Sequence, residues 1–210
     1  MINTCLSCGE YHADKSIDPS GPFAICQSCG MKQVFRRMPL LCLTGASGTG
    51  KSTVCAGLSY RTQDVVVMAS DILWRPEFGT SETSLRDYRN MWLRISKNIS
   101  QAGRPVMLCG SFSPGQFEEC VEFRYFSKIH YLSLLCDYET LERRLRGRPS
   151  WRNSGSDEFI KTHQDWNRWF RDSQHEQDVT LMDTTDVPVE VTVDQVKEWL
   201  VEKLCGAVPG

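Results

Sequence analysis

A glycine-rich loop at residues 45–52 constrains the fold of this chain more than any other feature of its sequence. The loop reads GASGTGKS, which matches the pattern G-x-x-x-x-G-K-[ST]. It follows a short apolar run and precedes a segment with helical periodicity. Glycines in this setting let backbone N–H groups surround a phosphate, and the N-terminus of the next helix adds partial positive charge. The sequence therefore predicts a phosphate-binding loop between a strand and a helix.

The residues of this loop have predicted roles in binding a nucleotide. We expect Lys51 to reach the outer phosphates, and to be open to solvent when no nucleotide is bound. We expect the Ser52 hydroxyl to bind Mg²⁺. The predicted nucleotide-binding residues are Gly45, Ala46, Ser47, Gly48, Thr49, Gly50, Lys51, Ser52 and Thr53.

Alternating short apolar runs and longer amphipathic segments predict the fold class. The apolar runs have the length of strands buried on both faces, and they lie at residues 40–43, 65–69, 106–109, 129–135 and 179–182. Helices are predicted at residues 51–61, 85–101, 116–122, 138–146 with Asp137 as N-cap, 157–172 and 193–204. This order predicts an α/β fold in which helices cover both faces of a mostly parallel five-stranded sheet.

The composition excludes several classes of protein. A chain of 210 residues with 40% hydrophobic residues and a net charge of -2 is neither disordered nor a strongly basic nucleic-acid binder. No apolar run approaches the roughly 18 residues of a membrane helix. The N-terminus is too polar for a secretory signal. We therefore expect a cytoplasmic protein without a membrane partner.

Four cysteines near the N-terminus predict a zinc site. Cys5, Cys8, Cys26 and Cys29 have the spacing C-x₂-C-x₁₇-C-x₂-C, and glycine follows each pair. Four thiolates leave no open position on zinc, so the site should be structural. Residues 1–37 are predicted to be a zinc-ribbon module, and residues 38–210 a second domain. Because the module has few aliphatic residues, we expect loss of the metal to unfold it before the second domain is affected.

The role of this module has several candidate explanations. Its exit is basic, with Lys32, Arg36 and Arg37, but nucleic-acid binding normally needs more phosphate contacts than three charges provide. A structural brace or a homodimer contact is at least as good an explanation. The other six of the ten cysteines are scattered, mostly in apolar runs, and are expected to be small buried residues.

From residue 39 to residue 204 the chain resembles the small-molecule and nucleotide kinase branch of the P-loop proteins, which includes adenylate, shikimate and gluconate kinases. In that branch a carboxylate beyond the second strand often acts as the base, and Asp71 stands at the equivalent point here. The resemblance therefore implies that Asp71 accepts the proton of the acceptor hydroxyl. An N-cap for the following turn is the competing explanation for Asp71.

The resemblance also implies a lid rich in arginine after the fourth strand. Arg143, Arg144, Arg146, Arg148 and Arg152 stand where that lid is expected. Arg144 and Arg148 are the predicted phosphate contacts, since phosphoryl transfer needs cations that neutralise charge. A solvated helix face paired with Glu139 and Glu142 is expected to account for one or two of the others.

Two further features bear on the class of P-loop protein. The third strand ends in Gly110, where many P-loop proteins carry an Asp that helps to hold Mg²⁺, and this departure favours a kinase over a GTPase or motor. An aromatic cluster follows the lid and is expected either to pack on the core or to stack on a ring; its members are Trp151, Phe159, Trp166, Trp169 and Phe170.

These observations predict an ATP-dependent kinase that transfers the γ-phosphate to a small-molecule acceptor, with nucleosides or nucleotides preferred because of the aromatic cluster. The expected catalytic residues are Lys51, Asp71, Arg144 and Arg148, and the expected cofactors are ATP, Mg²⁺ and Zn²⁺. Two alternatives stay open. One is a nucleic-acid end kinase whose zinc module holds the strand, and the other is a nucleotide-dependent switch or ATPase with a protein partner.

Overall fold

The computed structural model describes residues 2–12, 14–172 and 178–205. At the N-terminus three short strands form a small antiparallel sheet in the order β1 (Ser16–Ile17), β2 (Phe23–Ile25) and β3 (Lys32–Val34). Two turns that carry the four N-terminal cysteines precede β1 and separate β2 from β3. The division predicted between residues 37 and 38 stays a prediction, and β3 and β4 lie on either side of it.

The larger sheet has five parallel strands in the order β5-β6-β4-β7-β8. These strands are β4 (Leu40–Thr44), β5 (Val66–Ala69), β6 (Val106–Cys109), β7 (Ile129–Leu135) and β8 (Val179–Asp183). Because β4 lies at the centre, the loop that leaves its carboxyl end lies where the strand order reverses. Ligands of open parallel sheets bind at such a point. The predicted fold class is confirmed.

Five α-helices lie between or after these strands in the described part of the chain. They are α1 (Lys51–Ser59), α2 (Glu82–Ser100), α3 (Tyr138–Arg146), α4 (Asp157–Asp172) and α5 (Val189–Cys205). Short 3-10 helices cover Ser70–Leu73, Pro76–Thr80, Val121–Tyr125 and Ser150–Arg152. No helix in the described ranges is long and apolar enough to cross a membrane.

Three of the predicted helices differ clearly from those observed, and one of them, α5, begins at Val189 instead of residue 193. The helix predicted at residues 116–122 is wrong, because this segment forms turns and then a 3-10 helix that begins at Val121. The Ser113 N–H donates to the side-chain oxygen of Gln116 at 3.0 Å, and this hydrogen bond helps to close the first turn. Helix α2 begins before the predicted start, since the Ser81 hydroxyl caps it by accepting the Ser84 N–H at 3.1 Å.

The strands bury opposite faces in two hydrophobic clusters. In β4, Leu40 and Cys42 belong to the cluster that also contains Trp92 of α2. Leu41 and Leu43 belong to the other cluster, which α1 and α5 complete. All four residues are fully buried, as expected for the central strand of a sheet covered on both sides.

The N-terminal module shares the first of these clusters. Ile2, Ala24 and Phe35 are buried in it together with core residues of α2 and the main sheet. At the contact, the Tyr125 hydroxyl accepts the Lys15 N–H at 2.9 Å and donates to the Lys15 carbonyl oxygen at 3.2 Å. The Phe35 ring meets the Tyr125 ring edge to face at 5.7 Å. The module is therefore packed into the core of the larger domain.

Charged side chains reinforce this contact. Glu122 is 1% exposed and pairs with Lys97 at 2.5 Å and Arg94 at 2.7 Å, both from α2. Arg94 also reaches Asp14 of the module at 3.1 Å. A buried pair of this kind is costly to break from one side, because the remaining charge is left without compensation. The network therefore ties the C-terminal half of α2 to the module.

Replacing Tyr125 with Phe should destabilise the protein, because the buried Lys15 N–H loses its acceptor. We expect the free energy of unfolding to fall by about 1–3 kcal/mol. Urea unfolding measures this change. Tyr60→Phe is the matched control, since Tyr60 is 92% exposed and should tolerate the change. Equal stability of Tyr125→Phe and the wild type would contradict a role for this hydroxyl in holding the module.

Candidate active site and metal site

The glycine-rich loop joins the end of β4 to the start of α1. Its first residue, Gly45, has φ of 131°, and a Cβ there would lie 2.4 Å from the carbonyl oxygen of Leu134 on β7. Only glycine fits this approach. The Thr49 hydroxyl closes the loop from inside by donating to the Ala46 carbonyl oxygen at 2.9 Å. The loop is thus held against the centre of the sheet.

Lys51 folds back over the first half of this loop. Its ammonium donates to the carbonyl oxygens of Gly45 at 2.6 Å and Ala46 at 2.8 Å. The expectation that Lys51 is open to solvent is wrong, because these bonds hold it partly buried. Burial lowers its pKa to about 8, although the nearby negative charge of Asp71 opposes that shift and Arg148 adds to it.

Ser52 and Thr53 stand exposed in the first turn of α1. Within the described residues the Ser52 hydroxyl makes no hydrogen bond. It is therefore available as an oxygen ligand for Mg²⁺, which takes few protein ligands and keeps several waters.

A cleft of about 260 Å³ lies beside the second half of the loop. Gly48, Thr49 and Gly50 form its floor, and Thr184 and Val187 of the segment after β8 form a wall. Arg144 of α3 lines the cleft as well. A cleft with apolar and backbone surfaces next to a phosphate loop suits a planar base.

The arginines of the predicted lid divide into side chains with hydrogen-bond or ion-pair partners and side chains without them in the described ranges. Arg144 donates to the Thr184 carbonyl oxygen at 2.7 Å, to its hydroxyl at 3.1 Å and to the Gly48 carbonyl oxygen at 3.4 Å. Arg146 pairs with Glu142 at 2.8 Å and Asp157 at 2.6 Å. The Arg148 guanidinium has no hydrogen bond or ion pair among the described residues, and the residue is half-buried in the cleft wall. Burial and the charge of Arg152 lower the pKa of Arg148.

Asp71 lies on the 3-10 helix Ser70–Leu73 directly after β5 and is exposed. The N-cap of that helix is Ala69, and no side chain caps it. The competing explanation of Asp71 as an N-cap is therefore wrong. Its charge acts on Lys51, and the two predicted residues follow the carboxyl ends of β5 and β4, which lie on either side of β6 at one edge of the sheet.

Strand β6 ends at Cys109, and the next residue is Gly110 instead of a carboxylate. A close steric contact explains why glycine stands at this position. A Cβ on Gly110 would lie 2.2 Å from the Ser70 hydroxyl oxygen. Glycine therefore lets the segment that carries Asp71 approach the end of β6. Beyond it, Thr44 of β4 donates to the Phe112 carbonyl oxygen at 2.5 Å, which fixes the course of the following loop.

A second aromatic cluster, which the sequence did not reveal, lies beside Asp71. Trp74 packs on Tyr88 at 5.3 Å between ring centroids, and Phe78 packs on Tyr88 at 5.2 Å. The Tyr88 hydroxyl donates to the Ser70 carbonyl oxygen at 2.7 Å, and Trp74 stays 47% exposed. These rings come from a loop and a helix with no common periodicity, so no sequence pattern joined them.

The aromatic cluster that was predicted after the lid is mainly part of the core. Phe170 is buried and packs on Trp166 at 5.6 Å, and Phe159 and Trp166 are partly buried against the cluster that contains Ala46. Trp151 is 73% exposed on the Ser150–Arg152 turn. These residues therefore no longer support the expected preference for nucleoside acceptors.

One site residue was missed entirely. His163 of α4 accepts the backbone N–H of Ser47 through its Nδ1 atom at 3.2 Å. Burial lowers the pKa of His163 to about 4, and the positive charges of Lys51 and Arg148 contribute to the shift. A single histidine inside an amphipathic helix gives no sequence signal for such a contact.

The four N-terminal cysteines converge on one point. The sulfurs of Cys5 and Cys29 are 3.6 Å apart, those of Cys8 and Cys26 are 3.7 Å apart, and all four lie within 4.8 Å of one another. Four sulfurs around a tetrahedral zinc with bonds of about 2.3 Å would be separated by about 3.8 Å. The cluster thus has the dimensions of a zinc site.

Two matching turns build this cluster. The N–H of Gly9 bonds to the Cys5 carbonyl oxygen at 3.0 Å, and that of Gly30 bonds to the Cys26 carbonyl oxygen at 2.9 Å. Both glycines have φ above 70°. The N–H groups of Cys8 and Ser7 lower the pKa of Cys5 to about 6, which favours the thiolate that a metal needs.

Comparisons with known proteins identify the fold. No protein-family model matches the sequence, and neither does any curated protein. A sugar kinase structure from a Janibacter species matches with a TM-score of 0.59 at 16% identity, over 83% of this chain and 99% of that chain. A gluconokinase from Sinorhizobium meliloti matches with a TM-score of 0.57 at 18% identity, over 81% of this chain and 97% of that chain. Shikimate kinase from Acinetobacter baumannii matches with a TM-score of 0.53 at 15% identity, over 80% of this chain and 96% of that chain. The chain therefore has the fold of the P-loop kinases.

Protein purified without chelator should contain about one zinc ion per chain, and replacing Cys26 and Cys29 with Ser should remove it. Because the module shares a hydrophobic cluster with the main sheet, we no longer expect the module to unfold first. Loss of the metal should lower the melting temperature of the whole protein, because Ala24 and Phe35 are buried in the main cluster. Elemental analysis and near-UV circular dichroism measure the two effects.

The control for the cysteine substitutions is Cys205→Ser, since Cys205 is exposed and lies far along the chain from the cluster. It should keep both the metal and the melting temperature. Absence of metal from the wild-type protein would refute the site.

Proposed function

We propose that this protein is an ATP-dependent kinase that transfers the γ-phosphate to a small-molecule acceptor. The observation that carries the proposal is the meeting of Lys51, Arg148 and Asp71 around a phosphate-binding loop in a P-loop kinase fold. Two cations are held partly buried there, and a carboxylate stands exposed at the end of β5, on the same edge of the sheet. This is the set of charges that phosphoryl transfer requires.

In the proposed complex the base occupies the cleft between the loop and Thr184, and the phosphates run along residues 45–53. Lys51 leaves the loop carbonyls to bind the outer phosphates, and Ser52 holds Mg²⁺, which neutralises phosphate charge when bound. Arg148 has the unengaged guanidinium and is assigned to the transferred phosphate. Arg144 is assigned a bracing role, since its bonds join Gly48 to Thr184 across the cleft.

In the proposed reaction Asp71 accepts the proton of an acceptor hydroxyl. The acceptor oxygen then forms a bond to the γ-phosphorus, and the bond from that phosphorus to the β,γ-bridging oxygen breaks to release ADP. Asp71 suits this task because it is exposed, its carboxylate makes no hydrogen bond within the described ranges, and it lies near enough for its charge to act on Lys51.

An acceptor with a ring, such as a nucleoside or nucleotide, is the proposed substrate class. The support is now the cluster of Trp74, Phe78 and Tyr88, which presents a half-exposed indole beside Asp71. Aromatic faces of this kind contribute both apolar area and stacking geometry.

For the N-terminal module we propose a zinc-dependent bracing role. Of its basic residues, Lys32 pairs with Asp18, and Arg37 donates to the Phe126 carbonyl oxygen at 3.2 Å. Side chains engaged in this way favour a brace over a grip on nucleic acid. The braced element is α2, whose other end positions Tyr88 next to Ser70.

An acceptor screen tests the proposed function. Nucleosides, nucleotides, oligonucleotides, sugars and sugar acids are incubated with Mg-ATP, and ADP release is compared between the wild type and Lys51→Ala. We expect release that depends on one acceptor class and on Lys51. Release that no acceptor stimulates would favour the alternative of a nucleotide-dependent switch. Stimulation by oligonucleotide ends would favour the nucleic-acid kinase.

Replacing Asp71 with Asn removes the charge and the ability to accept a proton while it preserves the shape. Turnover with the identified acceptor should fall by about 10² or more, because general-base catalysis contributes about 10²–10⁴-fold. The affinity for ATP should change little, since the loop supplies its contacts. Steady-state kinetics and nucleotide titration measure the two quantities.

Asp64→Asn is the control, because Asp64 is exposed just before β5 and outside the proposed site. It should keep wild-type turnover. An Asp71→Asn protein with unchanged turnover would remove Asp71 from the reaction.

A further inference from the structure

The direction of the phosphate chain follows from the two halves of the loop. The cleft for the base is lined by the second half, at Gly48, Thr49 and Gly50. The Lys51 ammonium, which meets the outer phosphates in loops of this type, lies over the first half at Gly45 and Ala46. The terminal phosphate of a bound nucleotide therefore belongs at the first half of the loop, away from the base.

His163 contacts the loop at that end. Its partner is Ser47, which lies between Ala46 and Gly48, and His163 is absent from the lining of the base cleft. Lys51 and Arg148 are close enough for their charges to act on its ring. The imidazole is thus a neighbour of both cations assigned to the outer phosphates.

The hydrogen bond to Ser47 also fixes the tautomer. A backbone N–H can only donate, so the Nδ1 atom that receives it carries no proton. A neutral ring then carries its proton on Nε2, and the burial and the two adjacent cations favour the neutral ring. Phe159 packs on the same ring at 4.3 Å and limits its rotation. Among the described residues Nε2 has no hydrogen-bond partner.

We propose that His163 binds the terminal phosphate of the nucleotide through the N–H at Nε2, and so distinguishes ATP from ADP. This inference rests on the proposed function of the loop. The helix that carries His163 follows the lid, so the contact also gives α4 a direct interaction with the group that is transferred. The alternative is that the bond to Ser47 only anchors α4 to the loop.

Two substitutions separate these roles. His163→Asn keeps an acceptor near the position of Nδ1 and loses the donor at Nε2. His163→Gln places an amide donor near the position of Nε2 and loses the acceptor for Ser47. The readout is the dissociation constant for ADP and for AMP-PNP, a non-hydrolysable analogue with a terminal phosphate, in the presence of Mg²⁺.

If His163 binds the terminal phosphate, His163→Asn should bind AMP-PNP about tenfold or more weakly than the wild type, as expected for a lost hydrogen bond to a charged group. Its affinity for ADP should stay within about twofold of that of the wild type. His163→Gln should recover most of the affinity for AMP-PNP. His130→Gln is the control, because His130 lies on β7 outside the proposed site, and it should leave both constants unchanged.

Three results would overturn the inference. If each His163 variant weakens ADP and AMP-PNP equally, the residue only supports the loop. If His163→Asn changes neither constant, the ring does not contact the phosphate. A wild-type protein that binds neither nucleotide would instead refute the proposed function itself, and the inference with it. Should His163→Asn fail to fold, His163→Gln is compared with His163→Leu, since both lack the acceptor and only Gln offers a donor.

Discussion

The approach of the Gly45 backbone to the Leu134 carbonyl oxygen places the phosphate loop directly on the sheet, and the rest of the site depends on that position. Three further contacts hold the loop from different sides. Arg144 bonds to the carbonyl of Gly48, His163 accepts the N–H of Ser47, and Thr49 bonds across the loop to Ala46. Helices α3 and α4 are thereby positioned by the same eight residues that would bind phosphate. We therefore expect a change in the conformation of the loop to alter the positions of both helices directly.

The N-terminal module packs against the face of the sheet that α2 covers. Its residues bury Phe35 against Tyr125 and pair Asp14 with Arg94 of that helix. The first half of α2 carries Tyr88, whose hydroxyl bonds to Ser70 beside Asp71. One helix therefore spans from the cysteine module to the segment that carries the candidate base. A metal that orders the module would stabilise this segment even though it lies far from it in sequence.

The sequence was most informative where a single physical cause determines local structure. The five strands were predicted within a residue or two because continuous apolar runs such as Val106–Cys109 reflect burial on both faces. Residues 116–122 were mistaken for a helix because their pattern does not reveal the hydrogen bond that the Ser113 N–H donates to the Gln116 side-chain oxygen. His163 and Trp74 could not be assigned, since their roles arise only when distant segments meet. Asp71 was found through the resemblance to kinases, and its place at a strand end made the assignment physically reasonable.

The electrostatics of the site favour an anionic ligand. Burial lowers the pKa values of Lys51, Arg148 and His163, so each of them is shifted toward the form with less positive charge. Asp71 opposes this shift at Lys51, but a single exposed carboxylate is screened by water and offsets only part of it. A bound polyphosphate would add negative charge among these groups and raise all three pKa values. In the described part of the chain these two partly buried cations have no buried carboxylate partner, so a bound anion would complete the compensation of their charge. Both cations are held beside the loop by the fold, although Lys51 would have to exchange its two loop carbonyls for phosphate oxygens. Cations held in this way can stabilise the charge of a bound polyphosphate without being assembled at the moment of binding.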